Sequence, residues 1–63
     1  MQKIGDFYIE PIGTCIFLYA EIREAYFLVK AFDSIPEARH FAKVNELRSS
    51  VIRDKIVYSI GEV

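Results

Sequence analysis

Residues 15–32, CIFLYAEIREAYFLVKAF, hold two runs rich in β-branched and aromatic side chains, split by the polar pair Arg23-Glu24. Such runs favour strands, and a two-residue polar break between them reads as a hairpin. A hairpin with one face on a core and one in water alternates apolar with polar residues. This one is apolar on both faces for nearly its whole length. A single short helix is expected from the rest of the chain, and it covers one sheet face. The other face is left needing a partner.

Hairpin geometry sorts the side chains. With Arg23-Glu24 as a two-residue loop, Ala20 falls opposite Phe27, Leu18 opposite Val29 and Ile16 opposite Ala31. These six, with Ile22 and Ala25, make an aliphatic face whose alanines leave room for a helix to dock closely. The opposite face carries Cys15, Phe17, Tyr19, Glu21, Tyr26, Leu28, Lys30 and Phe32. A loop one residue longer would invert this assignment, because side chains alternate with period two.

Upstream, residues 4–10, IGDFYIE, alternate and end at Pro11-Ile12-Gly13, which predicts a first strand. With Ile12-Gly13 as the turn, Phe7 and Ile9 join the aliphatic face, and Asp6, Tyr8 and Glu10 join the aromatic one. Downstream, Ser34 and Glu37 have capping-box spacing and Pro36 suits a first helical turn. A helix is predicted from Ile35 to Leu47 or Arg48, with Ala38, Phe41, Ala42 and Asn45 facing inward and Ser49-Ser50 at its end. A last strand over Lys55–Ile60 would place Ile56, Tyr58 and Ile60 on one side. The predicted fold is α+β: a small antiparallel sheet in the order β-β-β-α-β, with one helix packed on one face and residues 1–63 forming a single domain.

Composition narrows the class. The chain is 52% hydrophobic, too apolar for a disordered peptide, yet no apolar run reaches the roughly 18–20 residues that span a bilayer. The N-terminus lacks the pattern of a signal peptide, and the single cysteine, Cys15, suits a reducing compartment. A cytoplasmic protein is expected. Residues 1–33 carry a balance of −2 and residues 34–55 a balance of +2. Neither field is strong enough to imply nucleic acid by itself.

No catalytic constellation is legible. Cys15 belongs to the sheet and His40 to the outer side of the helix, so a nucleophile–base pair is not expected. One histidine makes no metal site, the three glycines are too scattered to cradle a phosphate, and no cofactor is implied. Glu21 and Glu24 flank a turn and read as solvated. Arg39, Lys43, Arg48 and Arg53 form a possible basic stripe along the helix and its exit.

The run Phe32-Asp33-Ser34, then Glu37-Ala38 and Phe41-Ala42, resembles a strand-to-helix junction of small β-β-β-α domains. It is similar to that of the N-terminal arm-binding domains of tyrosine recombinases, which lay a three-stranded sheet on DNA. The resemblance implies a sheet-borne DNA contact. Those domains carry several Lys and Arg on their strands, whereas this face offers Lys30 against Asp6, Glu10 and Glu21.

The functional expectation is a non-enzymatic protein-binding or regulatory module, of the kind seen in small bacterial or phage inhibitors. It would self-associate, as a dimer or higher state, and mask a partner's surface. Its expected contact residues are Tyr8, Phe17, Tyr19, Arg23, Glu24, Tyr26, Leu28 and Phe32. Two alternatives stand beside it: a nucleic-acid binder using the sheet or the basic helix, and an oligomer holding a small ligand between protomers.

Overall fold

Three tight turns fold the first half of the chain into an antiparallel meander. The computed structural model describes residues 1–60. Its strands are β1 (Gln2–Ile4), β2 (Phe7–Ile12), β3 (Cys15–Ile22) and β4 (Ala25–Phe32), in the spatial order β1-β2-β3-β4. Helix α1 (Ile35–Val44) follows, then a 3-10 turn at Glu46–Arg48 and a second helix, α2 (Ser49–Ser59). Gly5 and Gly13 open the first two turns at φ 59° and 61°, a region where a Cβ is unwelcome.

The first expected strand is thus two. The turn at Gly5 splits residues 4–10 and adds a short edge strand before them. The β2–β3 register also differs from expectation, because the turn falls after Ile12 rather than on it: Phe7 pairs with Ala20 and Ile9 with Leu18. The slip amounts to two positions, so it preserves the face of each side chain within β2, while Asp6, expected on the aromatic face, falls in the β1–β2 turn and meets Ser49 of α2. Phe7, Ile9, Ile16, Leu18, Ala20 and Ile22 are all buried. Fully burying a side chain such as Phe7, Ile9 or Leu18 stabilises by about 1.5–3 kcal/mol.

Register between β3 and β4 holds only near the turn. Ala20 lies opposite Phe27 and Tyr19 opposite Leu28, as expected, but Leu18 pairs with Lys30 rather than Val29. Val29 is the extra residue of a bulge, and beyond it the strand is displaced by one position. The displacement overturns three placements. Ile16 faces Phe32 rather than Ala31, and Phe32 leaves the aromatic face to pack on the core with Val29. Lys30 goes with it, and Ala31 moves to the open face opposite Phe17.

Helix α1 begins where the capping residues put it. The Ser34 hydroxyl accepts a hydrogen bond from the Glu37 amide at 3.4 Å, and Pro36 occupies the first turn. Ala38 and Ala42 are buried against Phe7, Ile9, Ile16 and Leu18, so small side chains let the helix backbone approach the sheet. Phe41 lies edge-on to Phe7 at 6.4 Å and tilted on Phe32 at 5.5 Å between ring centroids. The helix stops at Val44, short of the expected Leu47 or Arg48. Asn45 ends it by donating both its amide and its Nδ2 to the Phe41 carbonyl, at 3.0 and 2.9 Å.

The largest correction concerns the C-terminal third. Residues 55–59 are helical, so the expected strand over Lys55–Ile60 does not exist and the order β-β-β-α-β is replaced by four strands and then two helices. Ser49, expected as a helix end, begins α2 and is buried. Partial burial at Ile52, Ile56 and Val57 has helical spacing, and Ile52 packs against the same core as α1. The α+β class stands, with a second helix on the sheet face where one was expected.

Candidate protein interface on the open sheet face

Strand alternation builds this surface. Residues that turn away from Phe7 and Ile9 on β2 are Tyr8, Glu10 and Ile12; on β3 they are Cys15, Phe17, Tyr19 and Glu21. Cross-strand pairing adds Lys3 from β1 and Tyr26, Leu28 and Ala31 from β4. Both helices lie on the other side. No described element covers this face, although its side chains shelter one another.

Mutual contact is concentrated around β3. The Tyr8 and Tyr26 rings meet edge-to-face at 5.1 Å, and Phe17 leans on Tyr19 at 6.4 Å. The Tyr8 hydroxyl donates to Glu21 Oε1 at 3.4 Å, giving the centre of the patch one polar tether. Tyr8, Phe17 and Tyr19 are half-buried by these neighbours. Tyr26, Leu28 and Ile12 remain 45%, 55% and 52% exposed, and they mark where apolar surface meets water. Contiguous apolar surface of this kind marks interaction sites on soluble proteins.

The hairpin tip projects beside the patch. Arg23 and Glu24 both adopt positive φ, 52° and 68°, the paired left-handed conformation of a type I′ turn. Neither is the Gly or Asn that this turn favours, so about 1–2 kcal/mol of strain resides at each. The strained pair sits at an exposed tip, separated from Tyr26 by Ala25 alone.

Of the eight expected contact residues, Tyr8, Phe17, Tyr19, Tyr26 and Leu28 share the open face, with Arg23 and Glu24 at its rim. Phe32 is the exception, carried to the helix side by the Val29 bulge. Ile12, Lys3 and Ala31 belong to the face and escaped the sequence reading. For Lys3 and Ile12 the signal lay in the turn positions, which shifted where the strands begin, whereas Ala31 reached the face through the Val29 bulge.

The expected basic stripe does not form one surface. Arg39 and Lys43 sit on α1 beside β1, Arg48 ends the 3-10 turn, and Arg53 is on α2 near Ile22. The 3-10 turn at Glu46–Arg48 interrupts the helix that was expected to run to Leu47 or Arg48. Cys15 and His40 lie on opposite sides of the sheet, so they form no nucleophile–base pair. Among the described residues no cluster of three His, Cys, Asp or Glu side chains could hold a metal ion, and no helix is long and apolar enough to cross a membrane. Comparison with protein-family models, curated proteins and solved structures returned no match.

Proposed function

We propose that this chain is a non-catalytic protein-binding and regulatory module of the cytoplasm, which self-associates and masks a partner's surface through its open aromatic sheet face. The observation that carries this reading is that α1 and α2 both pack on the Phe7–Leu18 side, leaving Tyr8, Phe17, Tyr19, Tyr26 and Leu28 without a covering layer.

Area supports the same reading. Four strands about 4.8 Å apart and up to eight residues long at about 3.3 Å each span a face of roughly 400–500 Å². Two such faces meeting would remove on the order of 1,000 Å² from water, the lower bound for a specific interface. Tyrosine at the centre and charge at the rim match the composition of protein contact surfaces. The nucleic-acid alternative loses support with the bulge, since Lys30 leaves the face and the charges on its strands are then Lys3 against Glu10 and Glu21.

Light scattering over a concentration series tests the self-association. The expected result is a mass of twice the protomer or more that falls on dilution. A protomer mass at every concentration would remove self-association and leave only a heterologous partner.

A further inference from the structure

A second surface lies on the helix side, away from the aromatic face. A groove of about 580 Å³ runs between β4 and α1. Residues 30–33 line one wall consecutively, and Pro36, Glu37, His40, Phe41 and Val44 line the other. The two walls differ in kind. On the helix, spacings of three and four select a single stripe. On the strand, Lys30 and Phe32 face the helix side and Ala31 the open face, so all three border the groove only if it reaches the strand's edge, and Asp33 follows just past the end of β4.

That edge is open. β4 ends the strand order, and no described strand pairs with its outer side. Its backbone N–H and C=O groups there are matched in geometry by only one kind of ligand, another extended chain. The floor of the groove is aromatic, with the tilted Phe32 and Phe41 rings 5.5 Å apart between centroids and Val44 62% exposed at its lip.

Charge sets the register of an occupant. Lys30 Nζ lies 5.4 Å from the Phe32 ring centroid and 5.8 Å from that of Phe41, while Asp33 and Glu37 stand at the corner where the strand passes into the helix. None of these three forms a salt bridge with another described residue. The groove is therefore basic over its rings and acidic at its corner.

We propose that this groove binds an extended peptide segment of another protein by strand addition to the outer edge of β4. The segment places an apolar side chain over Phe32 and Phe41, an acidic residue toward Lys30 and a basic residue toward Asp33 and Glu37. The site is independent of the open aromatic face.

Selection of random peptides about twelve residues long on the full-length protein tests the proposal. The expected outcome is convergence on an apolar residue flanked by opposite charges. The resynthesised peptide should slow hydrogen exchange of the amides at 30–33 and shift the signals of Phe41 and Val44. N-methylation of its central amides should abolish binding. Val44→Glu should weaken binding about tenfold or more with the amide spectrum otherwise kept. Lys30→Glu should exchange the preference for an acidic peptide residue for a basic one. Failure of the selection to converge would overturn the proposal. So would undiminished binding of the N-methylated peptide, or spectral changes confined to Tyr8, Tyr19 and Tyr26.

Discussion

Ser49 Oγ donates a hydrogen bond of 2.6 Å to Asp6 Oδ2, joining the first residue of α2 to the turn between β1 and β2 across 43 positions of sequence. Among the described residues, Ser49 is the one polar side chain that is buried. A buried hydroxyl needs a partner, and the nearby carboxylate supplies one at a strong hydrogen-bond distance. This single contact ties the element that sequence reading mistook for a strand to the turn that it missed.

Removing either partner should therefore loosen α2. Ser49→Ala is expected to cost about 1.5–3 kcal/mol in urea denaturation, the range for a hydrogen bond to a charged group. Asp6→Asn should cost less, because it keeps an acceptor. A double-mutant cycle of Ser49→Ala with Asp6→Ala should show coupling of at least about 0.5 kcal/mol. Additive single effects would mean that the contact does not hold the helix in place.

Relief of the hairpin tip should stabilise the protomer. Glu24→Gly removes a Cβ from a residue at φ 68° and should raise stability by about 1 kcal/mol, or roughly 4–8 °C in Tm for a domain of this size. If the strained tip also serves contact, the same variant should weaken assembly despite its higher Tm. A lowered Tm would show that the Glu24 side chain makes a stabilising interaction that outweighs its backbone strain.

The bulge carries a distinct expectation. Deleting Val29 removes the extra residue, so Lys30, Ala31 and Phe32 should keep Leu18, Phe17 and Ile16 opposite them and Phe32 should stay beside Phe41. The cost should be confined to the lost Val29 side chain, which is partly buried against the core, at less than about 3 kcal/mol. Thermal unfolding measures that cost, and persistence of the Phe32–Phe41 nuclear Overhauser contact reports the retained face. Disappearance of that contact, with Phe32 turned to the open face, would rule out the register described for residues 30–32.

Truncation at the aromatic face should separate assembly from folding. Tyr26 is 45% exposed and Leu28 55%, so Tyr26→Ala and Leu28→Arg should each leave the protomer's stability within about 1 kcal/mol of wild type. Both should weaken self-association, and Tyr26→Ala by about 2 kcal/mol or more if it sits at the interface centre. Sedimentation measured beside a denaturation curve distinguishes the two effects. Unchanged sedimentation for both variants would show that the face is not the contact surface.

Overpacking beneath α1 should be poorly tolerated. Ala42 is 2% exposed against the sheet, and Ala42→Leu forces the helix outward at a cost of about 1–3 kcal/mol. Val44→Leu, at a position 62% exposed, is the control and should be near neutral. Equal stability of the two variants in urea would mean that the helix does not approach the sheet through its alanines.

Local chemistry made much of this protein readable from its residues. Ser34, Pro36 and Glu37 start a helix by their own capping and backbone preferences, whatever surrounds them. Alternation through Phe7, Ile9, Ile16, Leu18 and Ala20 sorted side chains to a face even where the pairing slipped, because a two-position slip leaves parity intact. The Val29 bulge had no such local mark. It forms where packing Phe32 beside Phe41 outweighs one regular rung of the ladder, a balance between residues brought together only by folding. The C-terminal segment shows the same limit. Lys55–Ile60 is compatible with strand by alternation and with helix by spacing, and a window so short does not arbitrate. Packing decided it: as one helix from Ser49 to Ser59, the chain bonds Ser49 to Asp6, sets Ile52 on the core and partly buries Ile56 one turn further on.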